Sequence, residues 1–324
     1  MEPPSENMRA TQEPENTEQG LGQQLERLRG EDAFAWRSRI RAGLRTHRSS
    51  MIVAVIAVIT ISISGIADVF PISRSISYGS LDTAKVRFIS RSLSRHGVKY
   101  KYQVFVPDNW SPRQRWPIIL FLHGAGERGS DGFIQTQVGI GEALRKNRSR
   151  FPAIVVMPQC QNDRWWSMPD MEELALATLA AATKEFKGDP RRTYLTGISM
   201  GGYGTWDIAA KNPHKFAAIV PISGGITLPK RLLQTEPELI AAGPDNVAAS
   251  YTNVAAKIGK TPVWIFHGRD DDVVPPQDSR KLFSALKKTG DEVRYTEYPG
   301  VGHSAWEKAY ADQNLTTWLL SKSL

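Results

Sequence analysis

Short, continuous apolar runs alternate with helical stretches through most of this sequence after about residue 85. Pro117–Leu122 and Ala153–Met157 contain no polar side chain, which is typical of strands covered on both faces of a sheet. Glu172–Phe186 instead carries apolar residues at helical spacing. Because strands that alternate with helices form a mainly parallel sheet with helices on both faces, the sequence predicts an α/β fold over residues 85–324.

The remaining elements follow the same pattern. Val86–Ile89 and Tyr100–Val106 are predicted to form an opening antiparallel pair. Later strands and helices are expected at Thr193–Leu195, Gly201–Lys211, Ala217–Pro221, Pro262–Phe266, Ser279–Lys288 and Val293–Tyr298, with a terminal helix from Ala305. In sheets of this kind, functional residues lie in the loops beyond the carboxyl ends of the strands. We therefore expect each catalytic residue to follow a predicted strand.

The first fifty residues differ in composition from the rest of the chain. Residues 1–30 are rich in Glu, Gln, Asn and Pro and contain no aromatic residue. Such a segment cannot bury enough apolar surface to offset the chain entropy that folding removes. We therefore expect 1–50 to be a disordered N-terminal tail, basic near its end because five arginines lie between residues 37 and 48.

The uncharged segment 51–67 follows this basic stretch. Its seventeen residues would span about 25 Å as a helix, at the short limit for crossing a bilayer. One interpretation is the apolar core of a secretion signal with small residues before a cleavage site. The other is an uncleaved membrane anchor with the arginines in the cytoplasm. Both predict an extracytoplasmic catalytic domain, periplasmic or secreted, preceded by a linker at 68–84.

Charge and cysteine content exclude two classes of site. The net charge of +8 comes from basic residues spread along the chain, without the zinc spacing or aromatic-basic pattern of nucleic-acid binding. The single cysteine, Cys160, excludes an intramolecular disulfide and a multi-cysteine metal site, and it is expected to be a structural thiol. We therefore expect neither a nucleic-acid partner nor a metal or other cofactor.

A Gly-Ile-Ser-Met-Gly run at 197–201 places Ser199 between a predicted strand and a predicted helix. The pattern G-x-S-x-G is weak alone, but strand, turn and helix are the setting in which it presents a nucleophile. Small neighbours let the backbone turn tightly. The following helix directs its amino end at the site, so the Met200 N–H is a candidate oxyanion donor.

Two later loops and one earlier loop supply the partners of a nucleophilic serine. His123-Gly124-Ala125 follows the strand ending at Leu122, and either Gly124 or Ala125 is expected to give the second oxyanion N–H. Three adjacent carboxylates, residues 270–272, follow the strand Pro262–Phe266, and chemistry alone does not choose among them. A metal site there is disfavoured because adjacent side chains point apart. His303 follows the next strand, which gives the chain order serine, acid, histidine expected of this fold.

In combination these motifs resemble the bacterial α/β-hydrolase carboxylesterases, of the phospholipase/carboxylesterase or predicted-peptidase type. That group is related to dienelactone hydrolases and to polyhydroxybutyrate-depolymerase-like esterases. The resemblance rests on H-G-A-G-E-R-G-S-D at 123–131, P-Q-C at 158–160, G-I-S-M-G-G-Y-G-T-W at 197–206, H-G-x-x-D-x-x-V-P at 267–275 and G-x-G-H at 300–303. It implies the α/β-hydrolase fold and a Ser199, Asp271, His303 triad, and it selects Asp271 among the three carboxylates.

The expected activity is hydrolysis of a carboxylic ester, on a small molecule or a polymer, through an acyl-serine intermediate. Trp165 and Trp166 follow a strand and Trp306 follows His303, so these three are candidates for the substrate pocket, with a core position as the alternative. The stretch 226–260 is long for its place and is interpreted as a lid or insertion. A peptidase of the prolyl-oligopeptidase-like type, an acyltransferase and a non-catalytic binding module on the same fold stay open as alternatives.

Overall fold

The computed structural model describes residues 88–228, 250–289 and 292–324. The predicted tail, apolar segment and linker, 1–50, 51–67 and 68–84, lie outside the described residues, as does the central part of 226–260. Across the described ranges, no helix is long and apolar enough to cross a membrane.

Eight strands form one sheet, in the spatial order β1-β2-β4-β3-β5-β6-β7-β8. Only the β1–β2 and β2–β4 pairs are antiparallel, and all other neighbours are parallel. The strands are β1 Phe88–Arg95, β2 Val98–Phe105, β3 Trp116–Leu122, β4 Ile154–Pro158, β5 Gly188–Ile198, β6 Ala218–Ile222, β7 Val263–Gly268 and β8 Val293–Tyr298. The predicted α/β-hydrolase architecture, a mostly parallel sheet with helices on both faces, is confirmed.

Helices cover both faces of this sheet. Those in the described ranges are α1 Ile140–Lys146, α2 Pro169–Glu185, α3 Met200–Lys211, α4 Tyr251–Ile258, α5 Gln277–Lys287, α6 Trp306–Ala311 and α7 Gln313–Leu320. Apolar residues of α2 to α5 pack on one face, and those of α1, α6 and α7 pack on the other. Each face therefore has its own hydrophobic core.

The central strands explain why the sequence showed continuous apolar runs. In β3 every residue is buried. Ile118, Leu120 and Leu122 join one core, while Ile119 and Phe121 join the other. Because side chains alternate between the faces of a strand, a strand with two covered faces needs apolar residues at every position.

Some element boundaries differ from those predicted. Strand β5 begins at Gly188 rather than Thr193. Its first half is polar and pairs with β3 only at Gly188, whereas the buried half pairs continuously from Thr193. The terminal helix is interrupted at Asp312, whose carboxylate accepts the Asn314 N–H and caps the start of α7. Helix α1 was not predicted. Helix α4 occupies part of 226–260.

Asp278 on α5 ties down both described flanks of the 226–260 stretch. Its carboxylate accepts the backbone N–H groups of Ile226 and Thr227 at 3.0 and 2.8 Å. The other oxygen accepts the Tyr251 hydroxyl at 2.7 Å. This half-buried carboxylate thus holds the chain at Ile226 and Thr227, after β6, and at Tyr251, where α4 begins.

Candidate active site

Ser199 lies at the sharp turn between β5 and α3. Its backbone has φ 51° and ψ −117°, a conformation that residues with a side chain rarely adopt. The turn is closed by small neighbours: a methyl group added at Gly197 would overlap the Gly201 carbonyl, and one at Gly201 would overlap the Leu122 carbonyl. The sequence therefore needs glycine on both sides of the serine to bring α3 against the strand ends.

Three predicted residues from three separate loops meet at this turn. Ser199 Oγ lies 2.8 Å from His303 Nε2, and His303 Nδ1 lies 2.8 Å from Asp271 Oδ2. Asp271 follows β7 and His303 follows β8, so all three stand at the carboxyl edge of the sheet. Since a carboxylate only accepts, Nδ1 carries the imidazole proton and Nε2 is free to accept the serine proton.

Asp271, which the family resemblance selects among the three carboxylates, is the one that contacts His303. Its side chain is buried, whereas its neighbours Asp270 and Asp272 are exposed. Oδ1 accepts the Val273 and Val274 N–H groups at 3.0 and 2.9 Å. Burial alone would raise the pKa of this carboxyl. Hydrogen bonds from two histidines, His267 and His303, outweigh burial and hold the pKa well below its usual range.

His267 is a part of the site that sequence reasoning did not assign. It is fully buried, and its Nε2 lies 3.2 Å from Asp271 Oδ2 and 2.8 Å from the Val274 carbonyl. Because a carbonyl only accepts, this nitrogen is the donor. Nδ1 contacts Ser279 Oγ at 2.8 Å. The sequence feature that could have identified His267 is its position in the H-G-x-x-D motif, four residues before the acid.

The predicted oxyanion loop follows β3. Gly124 lies close to the nucleophile, since the place its Cβ would occupy is 3.7 Å from Ser199 Cβ. Within the described ranges, the backbone N–H groups of Ala125 and Met200 have no hydrogen-bond acceptor. The structure thus offers one open donor from the loop after β3 and one from the amino end of α3, as an oxyanion hole requires.

His123 fixes this loop from beneath. It is fully buried; Nδ1 donates to the Gly124 carbonyl at 2.7 Å, and Nε2 accepts the Cys160 N–H at 2.9 Å. Burial lowers the pKa of His123 to about 4, so the imidazole is neutral and its tautomer is set by its two partners. Cys160 is also buried, which raises the pKa of its thiol and makes it unreactive.

The three tryptophans predicted to line the substrate pocket occupy different environments. Trp166 is fully buried and donates its indole N–H to the His123 carbonyl at 3.0 Å, so the pocket assignment is corrected to a core position under the oxyanion loop. Trp165 lines a cavity of about 230 Å³ beside α3 and α4, together with Tyr203 and Trp206. Trp306 is half-buried, with its ring centroid 5.3 Å from that of His303.

No group of three or more His, Cys, Asp or Glu side chains in the described ranges could hold a metal ion. The three adjacent aspartates divide between one buried and two exposed positions, as their sequence spacing suggests.

Comparisons with known proteins agree with this geometry. The prolyl oligopeptidase family model matches residues 162–322. Carboxylesterase SOBER1 of Arabidopsis thaliana is 24% identical over 211 residues, 59% of this chain and 84% of that protein. The crystal structure of a thermostable esterase is 31% identical with a TM-score of 0.59, over 73% of this chain and 63% of the other.

A further relative, an uncharacterized secreted protein of Arthroderma benhamiae, is 26% identical over 209 residues, 58% of this chain and 21% of that protein. The chain thus spans about a fifth of this fungal protein and somewhat less than two thirds of the thermostable esterase. The region that the prolyl oligopeptidase family model matches contains the serine turn, the acid loop and the histidine. By its sheet topology, the contact of Ser199 with His303 and Asp271, and these similarities, the chain has the α/β-hydrolase fold and is similar to carboxylesterases.

Proposed function

We propose that this protein hydrolyses carboxylic esters, on a small molecule or a polymer, through an acyl-serine intermediate. The observation that carries the proposal is the unbroken contact from Ser199 Oγ through His303 to Asp271, with both links at 2.8 Å. This is the arrangement in which a histidine accepts the proton of an attacking serine. The similarity to carboxylesterases and esterases supports the choice of an ester as substrate.

The reaction follows from the geometry in two halves. Ser199 Oγ attacks the ester carbonyl carbon while His303 Nε2 takes its proton, and the carbonyl oxygen acquires negative charge facing the Ala125 and Met200 N–H groups. His303 then gives the proton to the departing alcohol, which leaves an acyl-serine. Water attacks the acyl group by the same route, releases the acid and restores Ser199. Asp271 stabilises the imidazolium in both halves.

A serine peptidase is the second candidate, because the matching family model is that of the prolyl oligopeptidases. The same serine and histidine would attack an amide carbonyl. The difference lies in the leaving group, since an amine must be protonated as it departs. An ester and an amide that share one acyl group therefore separate the two activities.

The test uses purified full-length protein, 4-nitrophenyl esters of increasing acyl length, and one N-acyl amino acid as both its 4-nitrophenyl ester and its 4-nitroanilide. We expect ester turnover that is lost in Ser199→Ala. Asp270→Asn is the matched control, because Asp270 is exposed next to the buried acid and its change should leave the rate unaltered. Amide cleavage without ester cleavage would select the peptidase, and ester turnover unchanged by Ser199→Ala would overturn the esterase proposal.

The proposed location is outside the cytoplasm, after cleavage at or anchoring through 51–67. Support comes from the uncharged run that follows the arginine-rich stretch, and from a relative described as secreted. N-terminal sequencing of the protein recovered from its source distinguishes the two forms. A new terminus near residue 68 indicates a cleaved signal, an intact Met1 in the membrane fraction indicates an anchor, and an intact Met1 in the soluble cytoplasmic fraction contradicts both.

A further inference from the structure

Glu127 is a carboxylate beside the nucleophile that the triad does not use. It ends the short 3-10 turn Ala125–Glu127 that forms the oxyanion loop. The place that a Gly124 Cβ would occupy lies 3.1 Å from Glu127 Oε2 and 3.7 Å from Ser199 Cβ. The carboxylate and the serine side chain therefore flank the same small space above Gly124, and the missing side chain keeps that space open.

Among the residues that the structure describes, this carboxylate has no cationic partner. Within the described ranges no Lys, Arg or His nitrogen forms an ion pair with Glu127. The neighbouring Arg128 directs its Nε to the Ala125 carbonyl at 3.1 Å. Burial raises the pKa of Glu127, and the N–H groups of Gly124 and Glu127 offset part of this effect.

A negative charge at this place opposes the reaction of a neutral ester. As Ser199 attacks, the carbonyl oxygen becomes negative beside the loop that carries the Glu127 carboxylate, and like charges repel most strongly where water is excluded. A positive group on the substrate would remove this penalty. It would also give the half-buried carboxylate a cationic partner, through a charge-assisted hydrogen bond.

Building on the proposed esterase function, we propose that Glu127 binds an ammonium group of the substrate, so that the enzyme prefers esters carrying a cation next to the scissile carbonyl, as in amino-acid esters. The alternative role of Glu127 is to hold the turn through the Gly124 N–H. Gln keeps the size of the side chain and an oxygen that accepts this N–H, but it has no charge. Glu127→Gln therefore separates the two roles.

The experiment compares alanine ethyl ester with ethyl isobutyrate, which differ by an ammonium in place of a methyl group. At about pH 6.5 the amino group is mostly protonated. We expect Glu127→Gln to lower kcat/KM for alanine ethyl ester about tenfold or more, and to leave ethyl isobutyrate unchanged or faster. Glu142→Gln is the matched control, since Glu142 is an acidic residue of α1 that pairs with Lys146 at the surface. An equal effect on both esters, or none, would overturn the proposal.

Binding gives a second measurement that does not depend on turnover. In Ser199→Ala, alanine ethyl ester should bind more tightly than ethyl isobutyrate by calorimetry, and adding Glu127→Gln should remove the difference. Added salt should weaken the preference, because it screens the charge. If the wild type hydrolyses neither ester, the esterase proposal fails, while this binding comparison still decides the role of Glu127.

Discussion

His267 and Asp271 form a fully buried pair behind the catalytic histidine, with Nε2 and Oδ2 3.2 Å apart. The same Oδ2 lies 2.8 Å from His303 Nδ1. One carboxylate oxygen thus accepts from two imidazoles, while Oδ1 accepts two backbone N–H groups, so each oxygen of Asp271 has two donors. With all its acceptor positions filled, the carboxylate has a single orientation towards His303.

Removing the His267 contact should slow the reaction without weakening substrate binding. We expect His267→Leu to lower kcat about 10- to 100-fold with little change in KM, because a hydrogen bond to a charged group is lost. Since that bond helps to lower the pKa of Asp271, the acid side of the activity profile should also move to higher pH. His267→Gln, which keeps a donor, should recover part of the rate. A loss that appears in KM alone would contradict this role.

The sequence predicts those parts of the site that depend on local patterns, and it does not predict those that depend on tertiary packing. The serine turn and the order of acid and base depend on local patterns next to strands, and such patterns are visible in the residues themselves. The choice of Asp271 over Asp270 depends on which side chain turns inward, and this is decided by tertiary packing. From the sequence, Asp271 could be selected only through the pattern of the family that the chain resembles.

Trp166 and His267 show what sequence patterns do not predict: the first was assigned to the pocket but lies in the core, and the second was missed. Trp166 follows a strand in the way that a pocket residue would, yet it packs beneath His123 and against Gly204, where an added methyl group would overlap it. His267 received no role from the sequence, yet it contacts the acid. Both assignments depend on contacts between residues distant in sequence or on the path of a loop, and neither leaves a periodic signal.

The backbone of Ser199 predicts that glycine at this position stabilises the protein. A residue with a side chain at φ 51° and ψ −117° is strained by about 1–3 kcal/mol, which exceeds the entropy cost of glycine. We expect Ser199→Gly to be about 1 kcal/mol more stable than Ser199→Ala, with both variants inactive. Urea unfolding of the two variants measures the difference. Equal stabilities, or a less stable Gly variant, would show that the turn is not strained.

Gly201 should not accept even the smallest side chain. Its Cβ would overlap the Leu122 carbonyl, which is backbone and cannot move aside as a side chain could. We expect Gly201→Ala to cost about 3 kcal/mol or more and to lower activity by displacing α3 from the strand ends. Gly126→Ala in the oxyanion loop is the control, since an added Cβ there has no heavy atom within 4 Å. Thermal unfolding should distinguish the two, and similar melting temperatures would contradict the packing argument.

The buried neutral His123 predicts a loss of stability in mild acid. Its pKa in the folded protein is about 4, below the ordinary value of 6.5, so between these pH values the unfolded chain binds the extra proton. Stability therefore falls as the pH decreases through this window, by about 3 kcal/mol for this group, and it recovers as the pH rises. Urea unfolding at a series of pH values from about 7.5 to 4 measures the slope.

His123→Asn isolates this contribution from that of other titrating groups. Asn can still donate to the Gly124 carbonyl but has no proton to gain in this range. The variant should be less stable than the wild type at neutral pH, because the Cys160 N–H loses its acceptor, and its stability should decline less steeply towards pH 4. The two curves should therefore converge in acid. Parallel curves over the whole range would mean that His123 is not the group that titrates.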